Sequence, residues 1–401
     1  MTAALPCTST DRMIADAETS AMDGHLEWAR AKSLWITGMV GAALLLGPIF
    51  VTPGAVALFA ATTIATLCAG HSVGMHRLLV HRSFSAKPWV EYLLIYLGTL
   101  VGMAGPVGMI RLHDMRDWAQ RQAACHDLHA NRLPMLRDAL LQMHARLVLK
   151  HPPRFRLEPR VAEDRVLRWL EATWMLQQLP WAVLFYAIGG WPWVIWGIPV
   201  RIVVSLTGHW LIVHLTHRNG PQGWVVDGES VQGHDLPAAA WLTFGEAWHS
   251  THHAWPDSAR LGTEPGQADA GWRLLRGLER LGLVWDLKQP ADLEPRAGLR
   301  RLGPAENRIV QAPCPQIASL PGSIATMAAS ALMRRRASPT MSRAGPSWPA
   351  ASTRSARSAA LASTTCWLGL VALKTRRAGV VGARPSARAR SRRTRSVFLG
   401  M

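Results

Sequence analysis

Acidic residues run out at Glu306: the last 95 positions hold 16 Lys plus Arg and no Asp or Glu. Residues 1–306 carry 28 basic against 26 acidic side chains, so nearly all of the formal charge of +18 belongs to the tail. A pI near 11.1 would ordinarily point to nucleic acid or anionic lipid. Here it describes the last quarter only, and no nucleic-acid partner is expected. Residues 291–401 are read as a low-complexity, disordered basic tail. From about residue 307 the Ala, Ser, Arg, Pro and Gly composition fits either a basic arm or a shifted reading frame.

Cysteine is scarce too. Cys7, Cys68, Cys125, Cys314 and Cys366 are odd in number, scattered, and form no CxxC pair. That excludes a disulfide framework and a cysteine-ligated iron–sulfur centre, and fits reduced thiols. The first 30 residues are polar and acidic, without a basic n-region and small-residue cleavage site, so a cytosolic N-terminal segment is expected rather than a signal peptide.

What the chain does have is long uncharged runs. Residues 34–51 and about 54–75 each suffice to cross a hydrocarbon layer and read as a hairpin closed by Thr52 and Pro53. A second pair, about 172–189 and 192–213, is joined by GGWP and carries Trp181, Trp191, Trp193 and Trp196 as an interfacial belt. The turns at 47–53 and 187–193 contain no Lys or Arg, whereas residues 76–171 contain 15, which orients the polar parts toward the cytoplasm. Residues 88–110 are also apolar. A crossing there would separate His81 from His113, so they are read as a re-entrant or interfacial segment broken around Gly102, Gly105, Pro106 and Gly108. The expected architecture is an all-α integral membrane domain over 31–290, with four transmembrane helices beneath a helical cap of residues 111–171 and 214–290.

Histidine is the residue present in excess. His76 and His81 (GMHRLLVHRSF), His113 (RLHDMRD), His209, His214 and His217 (GHWLIVHLTH), and His249, His252 and His253 (HSTHH) fall where the apolar runs end. Neutral imidazole is the commonest protein ligand for iron, copper and zinc. At about 100° per residue, His249, His252 and His253 share one helical face in chelating geometry. His76 and His81, roughly 140° apart on an α-helix, are better placed to serve two neighbouring metals than one. At least one of His209, His214 and His217 is expected to be a ligand, with His214 first and His217 second. A histidine-rich metal site on a membrane scaffold follows.

GMHRLLVHRSF, a polar box after an apolar segment, a histidine after the fourth apolar helix, and HSTHHAWP followed by LERLGLVWDLK resemble the membrane fatty acid desaturases of the acyl-CoA (stearoyl-CoA) type over about residues 30–290. The resemblance implies four membrane helices, a cytosolic cap holding two non-haem irons, O2 as co-substrate, and a Δ9-like double bond introduced into a fatty acyl substrate. In that family the middle box is HxxHH. Here it is HDMRD, with Arg116 and Asp117 where two histidines would stand. Arginine cannot ligate iron, whereas a carboxylate can, so the implied ligands are His76, His81, His113, Asp117, His214, His217, His249, His252 and His253, with His209 an alternative. Electrons are expected from a separate ferredoxin, rubredoxin or cytochrome-type donor. A diiron hydroxylase or ketolase would share this scaffold. A metal-handling membrane protein would place its ligands at the bilayer midplane instead.

Overall fold

The computed structural model describes residues 12–303; the tail expected to be disordered lies outside them from residue 304 on, whereas its first part is ordered, with Leu299–Arg301 forming a strand paired with Trp224–Val226. Helix α1 spans Arg30–Leu46. Among the described residues, two helices are long and apolar enough to cross a membrane: α2, Pro53–Val80, and α7, Gln178–Thr216. Four crossings were expected. The structure provides these two candidates outright, a 17-residue α1, and a break in α7 at Gly190, whose φ of 62° and ψ of −158° are non-helical. Large apolar side chains cover the outside of these helices, among them Leu34, Leu44, Leu45, Ile64, Val183 and Ile188. An outer surface that apolar marks a membrane-associated protein.

Residues 88–110 form two helices, α3 (Pro88–Thr99) and α4 (Pro106–Gln120), separated by a turn with Gly102 at φ 80°. Buried groups bind the carbonyls of that turn. Leu100 O accepts from Arg201 Nη1 at 2.7 Å and from Gln178 Nε2 at 3.0 Å, and Gly102 O accepts from Trp35 Nε1 at 2.9 Å. Irregular backbone at such depth is tolerable only when protein groups satisfy it. Arg201, the one charge in its apolar run, is buried for that purpose.

Helix α4 begins against helix α6 (Arg165–Thr173), whose Glu171 carboxylate accepts from Val107 N at 2.9 Å and Gly108 N at 3.0 Å. The anion satisfies free N–H groups at the positive end of α4. Gly105 lacks the Cβ that would fall 2.3 Å from the Glu171 Oε2. Helices α2, α3, α4 and α6 share a core of Met75, Leu79, Ile95, Met109, Ile110, Leu167 and Leu170. Helix α3 crosses α2 so closely that a Cβ on Gly74 would stand 2.4 Å from Leu94 O. Gly74→Val is therefore expected to cost about 2 kcal/mol or more, read as a lower midpoint of thermal unfolding in detergent.

The cap is less purely helical than expected. Antiparallel ribbons tie distant segments together: Gly24–Trp28 with Ala145–Leu149, Met13–Ile14 with Arg154–Phe155, Ser85–Ala86 with Val284–Trp285, and Trp224–Val226 with Leu299–Arg301. Each strand is two to five residues long. Segments that short leave no readable alternation in sequence. Between the ribbons lie α5 (Met135–His144), α8 (His249–Ala254) and α9 (Ala270–Arg280).

Candidate metal centre

Helix α2 is π-helical from Ala65 to Val80 and ends with His81 N donating to His76 O at 3.0 Å. An i→i+5 bond stacks residues five apart. The α-helical spacing that set His76 and His81 on separate metals is thereby corrected, and their ring centroids lie 4.7 Å apart. The break before α4 brings in His113, whose Nε2 stands 3.2 Å from His81 Nε2. His252 completes the group: one ligand atom from each of His76, His81, His113 and His252 lies within 4.8 Å of the others.

A second group joins His217, at the end of α7, to His249 and His253 on α8. Its Nε2 atoms are 3.0 Å apart for His249 and His217, and 3.2 Å for His217 with His253 and for His253 with His249. Helix α8 thus divides HSTHH between two groups. His249 and His253, about 40° apart, turn one way, and His252 turns the other.

These contacts are not a hydrogen-bond network. Burial pushes His217, His249 and His253 well below the ordinary imidazole value, so the rings are neutral. A neutral ring nitrogen is either a donor or an acceptor, so among three mutually adjacent nitrogens two must always clash in kind. A shared cation resolves the clash. Three nitrogens about 3.1 Å apart surround a point about 1.8 Å from each, close enough together that one metal ion would be held by all three.

The rings are also oriented for ligation. His76 Nδ1 stands 2.7 Å from Glu246 Oε2, and Ser72 Oγ donates to Glu246 Oε1 at 2.6 Å. His217 Nδ1 donates to Asn131 Oδ1 at 3.1 Å. Such bonds fix the tautomer that bares Nε2. On α4, His113 Nδ1 is 3.5 Å from Asp114 Oδ1, and the partner of Asp114 is Arg12, 3.0 Å away. Arg12 also donates to Val80 O and Leu79 O, clamping the end of α2 that carries His81. Sequence reasoning missed Arg12, because an isolated arginine in a polar N-terminal stretch carries no signal.

Asp117 lies beside the first group, with Oδ2 3.9 Å from His113 Nδ1 and 3.3 Å from Arg121 Nη2. Despite burial, the His113 and Arg121 charges hold its carboxyl well below the usual range. His214 enters neither group. Its Nδ1 donates to Asp138 Oδ2 at 2.7 Å, which turns the ring to α5. Buried Asp138 also accepts from Trp210 Nε1, Asn131 Nδ2 and Gln142 Nε2. Asp138→Ala strands these donors and is expected to cost about 3 kcal/mol, measured as a lower unfolding midpoint. His209 packs edge-on against His71, with centroids 4.8 Å apart.

Both groups open on a cavity of about 100 Å³ whose apolar wall includes Met103, Met109, Leu112, Ile212 and Val213. Two imidazole groups at the ends of apolar helices, facing an apolar cavity, define a membrane-associated protein with sites suited to metal ions. Residues 51–263 match the family model for fatty acid desaturases, and the chain belongs to that family. It is therefore an oxidoreductase with a fatty acyl substrate. It is 32% identical over 226 residues to the sn-1 stearoyl-lipid 9-desaturase of Anabaena variabilis, covering 55% of this chain and 78% of the relative. The Synechocystis sn-1 stearoyl-lipid 9-desaturase is 32% identical over 228 residues, covering 56% and 68%. The acyl-CoA 5-desaturase of Anemone leveillei is 29% identical over 247 residues, covering 60% and 74%.

Proposed function

We propose that this chain is an O2-dependent fatty acyl desaturase with a non-haem diiron centre. One iron would be held by His76, His81, His113 and His252 with Asp117, and the other by His217, His249 and His253. The observation that carries this reading is the convergence of seven ring nitrogens in two groups on either side of α8, over an apolar cavity. His214, named as a ligand from sequence, is reassigned to positioning, because its Nδ1 is bonded to Asp138.

When bound, the irons supply oxygen activation and removal of hydrogen from unactivated methylenes. Dioxygen needs four electrons, of which the two vicinal C–H bonds give two. The other two come from a separate donor of ferredoxin, rubredoxin or cytochrome type. Glu246 and Asn131 orient imidazoles, and Met103, Leu112, Ile212 and Val213 hold the alkyl chain and exclude water. In this reading α1, α2 and the two halves of α7 give four crossings, residues 88–110 are re-entrant, and the metal centre faces the cytoplasm, where 15 basic residues between 76 and 171 lie.

Lipid analysis of cells expressing the full chain tests the reaction. The expected result is a new cis-monounsaturated acyl chain with a Δ9-like double bond. Hydroxylated or keto products would reassign the chemistry. Acyl-CoA is the head expected from the resemblance, whereas the cyanobacterial relatives are named for acyl-lipids. Supplying each to membranes distinguishes them.

A further inference from the structure

Two half-buried cations meet at the head of the cavity, whose lining among the described residues holds no carboxylate. Lys32, on α1, and Arg116, on α4, both end on Gln142 of α5. Lys32 Nζ donates to Gln142 O at 2.6 Å, and Arg116 Nη2 donates to Gln142 Oε1 at 2.7 Å. Arg116 Nε is buried without a hydrogen-bond partner. Carboxylates nearby are engaged with other groups. Asp138 is held by Asn131, Trp210, His214 and Gln142, Asp117 by Arg121, and Glu27 by Arg146. Like charges removed from water together are costly unless an anion joins them.

Their position suggests the anion. Lys32, Arg116 and Gln142 line an apolar cavity of about 80 Å³ and also the open cavity of about 400 Å³ outside it. Arg116 continues into the cavity beside the imidazole groups. A substrate passing from solvent to the metal centre would cross this pair. Guanidinium offers a planar fork matched to two oxygens, and the ammonium adds a point charge.

We propose that Lys32 and Arg116 form a receptor for an oxyanion, carboxylate or phosphate, at the head of the acyl substrate. The inference rests on the acyl-substrate reading of the same cavity. Arg116 thus serves binding at a position where the family's middle box has a histidine.

The test is displacement of fluorescent cis-parinaric acid from the full-length protein in detergent, with palmitate, 1-palmitoyl lysophosphatidate and methyl palmitate as competitors. At least one anion is expected to compete on the order of tenfold better than the ester, the effect of one charge-assisted hydrogen bond. Palmitate winning identifies a carboxylate head, and lysophosphatidate winning a phosphate. Arg116→Gln and Lys32→Met should each remove the preference, and Arg116→Lys should keep part of it. Equal competition by the ester, no competition by any of the three, or a preference unchanged in both variants would overturn the receptor. Binding requires neither iron nor turnover. A protein that keeps the preference yet makes no unsaturated product would retain the receptor and fail the desaturase reading alone.

Discussion

His252→Ala is expected to abolish desaturation and to lower bound iron from about two per chain to about one or fewer. His252 supplies one of the four ligand atoms of the first group and sits on the short helix whose neighbours His249 and His253 build the second. Its ring is neutral because burial pushes it well below the ordinary imidazole value, so it presents a lone pair rather than a charge. His214→Ala provides the contrast. That ring is buried as well, but its Nδ1 is committed to Asp138 at 2.7 Å. The His214 variant should keep most of its iron and lose stability instead. Equal iron loss in the two variants would return His214 to the ligand set and contradict the assignment by ring orientation.

Asp117→Ala is expected to reduce turnover by roughly 100-fold or more, at or beyond what removing a residue that only orients a ligand costs. Two roles are open to this carboxylate, ligation beside His113 or neutralisation of Arg121, whose Nη2 is 3.3 Å away. Asp117→His and Asp117→Asn separate them. Histidine restores a ligand of the kind the family's middle box carries and should recover part of the activity and iron, whereas asparagine, matching the carboxylate in shape without its charge, should not. Failure of histidine as well as asparagine, both of which lack the negative charge, would show that Asp117 serves as a counter-charge to Arg121.

The parts of this fold that were legible in sequence are those with local signals. Uninterrupted apolar runs mark α2 and α7, and the Gly102 to Pro106 stretch marks a chain break between α3 and α4. The parts that were not legible depend on register or on distance. A π-helical end to α2 cannot be read from GMHRLLVH, because the residues would suit an α-helix equally well. Yet it decides whether His76 and His81 face one site or two. The choice between His214 and His217 turns on Asp138 and Asn131, which lie more than 70 residues upstream and meet those rings only in the folded chain. Arg12 and the strand at Gly24–Trp28 hold their places through partners over 100 residues away, beyond any periodicity argument. Arg116 was read from sequence as a lost ligand. The structure gives it a neighbour, Lys32, and a shared anchor, Gln142.

The most direct test of the central claim is elemental analysis of the purified full-length protein, with the same preparation assayed for unsaturated product on addition of an electron donor. About two irons per chain, with alkene formed in proportion to iron content, is the result predicted from two imidazole groups that each suit one ion. Protein that folds and binds acyl chains but carries no iron, or carries stoichiometric zinc, would contradict the diiron assignment.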